Sequence, residues 1–116
     1  MKLSLKNRLV MDGLFPKESN LSDQILARDI RAKVGVTQEE IKKYNIRTNA
    51  DGSGTVWDSE FDGNFKFTGA ELNFLKKQVD RLDRESAIHQ DLTTLCLLIQ
   101  DEKVKEDEGD TPVVQA

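Results

Sequence analysis

The sequence predicts an α+β fold: about five helices packed with a small two- or three-stranded antiparallel meander over residues 45–67. Three observations lead there. Apolar residues recur three and four apart along Leu72, Leu75, Val79 and Leu82, and again through Ile88, Leu92, Leu95, Cys96 and Ile99. Two Thr-x-x-Glu signatures, Thr37–Glu40 and Thr68–Glu71, mark helix starts. Between them the helical period is lost, and glycine gathers with Asn and Asp in two turn-like clusters.

Taken in order, Ser4 caps a first helix carrying Leu5, Leu9 and Leu14, which Gly13 and Pro16 bring to an end. Asn20 caps a second, with Leu21, Ile25, Leu26, Ile30 and Val34 read as one side and Gly35 as its stop. Thr37 opens a short third helix ending near Tyr44, with Val36 and Ile41 placed as a hydrophobic staple. Strands follow at Ile46–Thr48, Thr55–Asp58 and Phe65–Phe67, joined by turns at Asp51-Gly52-Ser53-Gly54 and Asp62-Gly63-Asn64. Thr68 starts the longest helix, with Phe67 and Leu72 as its staple. A break near Ser86 precedes the last helix.

A chain of 116 residues suffices for one domain with its own core. The domain is expected over residues 1–102, with a disordered acidic tail over 103–116, where charge, Gly109 and Pro112 replace apolar content. Five of the seven aromatics (Trp57, Phe61, Phe65, Phe67, Phe74) fall between 57 and 74 and mark a packing centre. The net charge of −4 resides in residues 101–116; residues 1–100 carry fifteen acids against fifteen bases. A balanced body argues against both a basic nucleic-acid binder and an acidic DNA mimic.

The single cysteine, Cys96, points to a reducing compartment and a buried structural thiol. The polar opening Lys6-Asn7-Arg8 leaves no room for a signal-peptide core, and no apolar run approaches the ~20 residues of a membrane span. A cytoplasmic protein is expected. No catalytic, cofactor-binding or metal site is expected. His89 is the sole histidine and reads as a solvated residue at a helix start. Asp80 and Asp83 share a helix face with Lys76, Lys77 and Arg84, the pattern of an ion-paired surface. Glycine-rich phosphate loops and nucleophile elbows are absent from the sequence.

Two segments resemble functional motifs. Residues 49–60, Asn49-Ala50-Asp51-Gly52-Ser53-Gly54-Thr55-Val56-Trp57-Asp58-Ser59-Glu60, resemble an EF-hand calcium loop, with oxygen side chains at positions one, three and five, glycine at six and glutamate at twelve. The alternative is a hairpin turning at Asp51-Gly52, since Asn45, Thr48 and Phe61–Phe67 lack flanking helical pattern. Residues 30–44 resemble the helix-turn-helix of bacterial and phage repressors: Ile30, Val34, Val36 and Ile41 surround Gly35 at the required spacing. Arg31 stands where a small residue is usual, and Glu39 and Glu40 would face phosphates.

More broadly, Leu5-Lys6-Asn7-Arg8-Leu9, Leu14-Phe15-Pro16-Lys17-Glu18-Ser19-Asn20, Thr37-Gln38-Glu39-Glu40 and Thr55-Val56-Trp57-Asp58 are similar to short uncharacterised proteins of tailed bacteriophages and prophages. That resemblance implies a small accessory or assembly protein and assigns no site residues. The expectation is a non-enzymatic accessory protein acting through a protein partner in the host or phage, as a host-process inhibitor or an assembly factor, with an exposed apolar patch or oligomerisation as its mark. DNA binding through residues 30–44 and calcium binding through residues 49–60 are the alternatives.

Overall fold

A computed structural model describes residues 1–104; the acidic tail expected from the sequence falls outside the described residues apart from Lys103 and Val104. The chain is α+β, as the sequence predicts. Strand β1 (Lys2–Ser4) runs into α1 (Leu5–Val10), a 3₁₀ turn (Met11–Leu14), α2 (Leu21–Val34) and α3 (Gln38–Tyr44). Then come β2 (Arg47–Thr48), β3 (Thr55–Val56), β4 (Asp62–Asn64) and α4 (Gly69–Arg84). A second 3₁₀ turn (Gln90–Leu92) leads into α5 (Thr93–Asp101).

The caps explain where helices begin. Ser4 Oγ accepts from the Asn7 amide at 3.1 Å, and Asn20 Oδ1 accepts from the Asp23 amide at 2.8 Å. Both Thr-x-x-Glu boxes close fully. Thr37 and Thr68 hydroxyls accept from the amides of Glu40 and Glu71, whose carboxylates accept in return from the threonine amides. Asn45 ends α3 in the left-handed region at φ 51°, and Ser86, at φ 53°, breaks the chain after α4.

The strands differ from the expected meander. β2 and β3 form the hairpin, with Arg47 opposite Val56 and Thr48 opposite Thr55. The third strand is Asp62–Asn64, not Phe65–Phe67, and it pairs antiparallel with β1 in a separate sheet. Leu3 lies opposite Gly63, and Met1 and Phe65 exchange hydrogen bonds at 2.7 and 2.9 Å just beyond the register. Gly63 reads as a turn residue in the sequence, but its role is steric. A Cβ there would come within 2.9 Å of the Phe65 ring, which lies over the strand.

The core is built by the ends of the chain. Leu3, Met11, Leu14 and Phe15 join Ala27, Ile30 and Val34 of α2, five residues of α4 (Leu72, Phe74, Leu75, Val79, Leu82) and Leu92, Leu95, Cys96 and Ile99. α4 packs on both α2 and α5, and Phe15 meets Phe74 with ring centroids 5.9 Å apart. Two expected helix faces are corrected. Leu9 is exposed and Arg8 buried in its place; Leu21 and Ile25 point outward at 75% and 39% exposure. At about 100° per residue Leu21 lies half a turn from Ile30, so the five apolar residues of α2 straddle the helix and cannot share its core face.

Leu75→Ala, at a fully buried site, is expected to cost about 2–5 kcal/mol in urea unfolding. Leu21→Ala is expected to change stability by less than about 0.5 kcal/mol. Equal losses would contradict the outward placement of Leu21.

Candidate functional site

From Gly35 to Ala70 no side chain is buried, whereas buried residues are frequent on either side. Within this stretch, residues 36–61 form a lobe of α3 and the β2–β3 hairpin. Val36, Ile41, Tyr44, Ile46, Val56, Trp57 and Phe61 are half-buried. None belongs to the main core or packs against it. The lobe has its own centre: the Tyr44 and Phe61 rings stack at 3.6 Å between centroids with an interplanar angle of 6°.

Polar bonds stitch the lobe internally. The Asp58 amide donates to the Tyr44 carbonyl at 3.0 Å, joining the end of the hairpin to the end of α3. Asp58 accepts from Asn45 Nδ2 at 3.0 Å and from Arg47 Nη1 at 2.8 Å. These two donors, Asn45 first, lower the Asp58 pKa.

Both sequence motifs lie in or beside this lobe. The EF-hand-like segment is a hairpin without flanking helices, since α3 ends at Tyr44 and the next helix starts at Gly69. Its donors serve the turn. Asp51 Oδ1 accepts from the Ser53 amide at 3.0 Å, Asn49 Nδ2 donates to Ser53 Oγ at 3.2 Å, and Gly52 supplies φ 74°. Among the described residues, no three His, Cys, Asp or Glu side chains gather where a metal ion could sit.

The helix-turn-helix-like segment does form two helices joined by residues 35–37. Its Glu40 does not face outward as a reading residue would. Instead it turns toward Arg8, and Arg31 bonds Asp12 while lying 4.9 Å above the Phe15 ring.

Arg8 is the residue that sequence reasoning missed. It is only 6% exposed, on the side of α1 where Leu9 was expected. Nε donates to the Val34 carbonyl at 2.9 Å, and Nη2 donates to the Gly35 carbonyl at 2.9 Å. Nη1 and Nη2 hold both Glu40 oxygens at 2.9 and 2.8 Å. The guanidinium carbon also lies 4.9 Å from the centre of the Phe65 ring. One side chain therefore serves the last carbonyls of α2, the capping carboxylate of α3 and the strap after β4. Only a planar fork of donors can do this. No pattern in the sequence links positions 8 and 40, because the contact spans 32 residues and depends on two helices meeting.

Arg8 pulls the Glu40 carboxyl from its ordinary 4.5 down to about 2, with the Thr37 amide assisting and burial opposing. The second box is built alike. Lys33, in the last turn of α2, bonds the buried Glu71 carboxylate and donates to the Lys66 carbonyl at 3.1 Å.

Cys96 and His89 lie outside the lobe. Cys96 is buried and free, and burial, with Asp83 nearby, raises its thiol pKa. His89 Nδ1 accepts from the Asp91 amide at 3.1 Å at the start of a 3₁₀ turn. No helix among the described residues is long and apolar enough to cross a membrane.

Because the folded-state pKa of Glu40 is depressed, its contribution is complete above the unfolded value near 4.5 and is lost as pH falls toward about 2. With the side chain 27% exposed, the pH-dependent part is on the order of 1–2 kcal/mol after solvent screening. Urea melts of wild type and Glu40→Gln are expected to diverge at pH 7 and converge near pH 2. Parallel profiles would mean that the pair is not coupled to folding.

Compared with protein-family models, curated proteins and solved structures, the chain matches none.

Proposed function

We propose that this is a non-enzymatic binding protein acting through protein–protein contact, with the lobe of residues 36–61 as its binding head. The observation that carries the reading is the lobe's composition at its exposure. Tyr44, Trp57, Phe61 and Arg47 are the residue types that dominate binding energy at interfaces. Here the three aromatic residues are half-covered and Arg47 is exposed, all outside the core. Burying that cluster under a partner would supply the desolvated centre that interfaces require. Leu21 and Ile25 on the outer face of α2 add further exposed apolar surface. The role that fits is a small accessory or assembly factor of the phage type, as the sequence resemblance implies.

The test is retention of a partner from the native host on wild-type protein, followed by measurement of its affinity for wild type and Trp57→Ala. Loss of at least about 2 kcal/mol, or roughly thirtyfold in Kd, is expected if Trp57 is a central contact. A monomer that retains nothing, or a Trp57→Ala protein that binds unchanged, would refute the assignment.

DNA binding by α2 and α3 is the second reading, supported by the helix pair and by exposed Lys42 and Lys43 on α3. It requires an affinity that falls with salt and weakens when both lysines are neutralised. Given Glu39 on the same short helix, no mobility shift is expected at low salt; a shift abolished by Lys42→Ala/Lys43→Ala would establish this reading instead.

A further inference from the structure

We propose that residues 36–61 open and close as one unit in the free protein, independently of the helical body, and that the Arg8–Glu40 pair is the latch. The inference concerns the lobe assigned above as the binding head, but opening is a property of the unbound chain and is tested without a partner.

Three observations carry it. First, the lobe contributes no side chain to the core, which is complete without it. Its helix and hairpin make no extensive contact with any helix of the body. Segments with few buried apolar contacts and exposed backbone bonds occupy the low end of local stability. Secondly, the lobe is coherent within itself. The Tyr44–Phe61 stack, the Asp58-to-Tyr44 backbone bond and the Asn45–Arg47–Asp58 cluster couple α3 to the hairpin, so one part cannot leave without the other.

Thirdly, the polar attachment is concentrated in one place. Among the described residues, the two bonds from Arg8 to Glu40 are the side-chain hydrogen bonds that cross from lobe to body. Releasing them leaves Arg8 still held by the Val34 and Gly35 carbonyls and by the Phe65 ring. The body therefore keeps its half of the latch when the lobe lifts. At 26 residues the lobe lies below the ~40 needed to fold alone, so a detached lobe melts. Re-forming it on a partner would link binding to ordering.

Native-state hydrogen exchange across low urea concentrations tests this on the full chain. The amides of Ile41, Ile46, Asn49 and Asp58, each hydrogen-bonded within the lobe, are expected to exchange through one shared opening. That opening is expected to be at least about tenfold more populated than the opening that exposes the slowest amides of α4 and α5. Glu40→Gln is expected to accelerate the lobe amides roughly tenfold, whereas Ile99→Val, in the body core, is expected to accelerate the slowest amides of α4 and α5 several-fold and to change the lobe amides less than about twofold. Tyr44→Ala, which weakens the lobe from within and leaves the latch untouched, is expected to accelerate the lobe amides likewise. Lobe amides as protected as those of α4, unrelated rates within the lobe, or lobe amides accelerated by Ile99→Val as much as those of α4 and α5 would each overturn the proposal.

Discussion

The buried guanidinium of Arg8 is the constraint on which the arrangement of the chain depends. A charge this far from water is tolerated only when its donors are occupied and its counter-charge is close. Arg8 meets both conditions by drawing three separate segments to itself: the C-terminus of α2, the N-terminus of α3 and the strap that carries Phe65. The electrostatics are cooperative with the helices. The α2 carbonyls that lack intrahelical partners receive a cation. The Glu40 carboxylate completes its capping box and neutralises that cation.

The same device recurs at Thr68–Glu71, where Lys33 reaches from α2 to the capping carboxylate of α4. Each box begins as a local feature, a threonine and a glutamate serving one another's amides. Each becomes a tertiary joint when a base from an earlier helix binds the glutamate. These two joints set where α3 and α4 start relative to α2. Between them, the pairing of β1 with β4 returns the chain to the body, and the Phe65 ring lies between the face of Arg8 and the bare backbone of Gly63.

This construction divides the molecule into a packed body and an outlying lobe. The body uses most of the aliphatic residues and buries its cysteine and the apolar face of its long helix. The lobe combines four aliphatic and three aromatic side chains with polar residues, and all seven remain half-open to water. In the function proposed above, the partly uncovered aromatic residues of the lobe are the surface offered to a partner. Polar groups of the lobe bond one another at Asn45, Arg47 and Asp58 and at Asn49, Asp51 and Ser53.

The sequence by itself determined what is local. Ser4, Asn20, Thr37 and Thr68 cap helices as their spacing predicts, because an N-cap and its amide lie within one turn of chain. The core faces of α4 and α5 follow from periodicity for the same reason. Asp51-Gly52 turns a hairpin because those residue types permit the required φ without help from elsewhere. Only the tertiary structure decided what joins distant positions. It placed Arg8, and not Leu9, inside; it paired Asp62–Asn64 with the N-terminal strand; and it turned Leu21 and Ile25 outward and Glu40 toward α1. Burial of a charge is legible only when its partners are known, and these partners meet through the packing of separate helices.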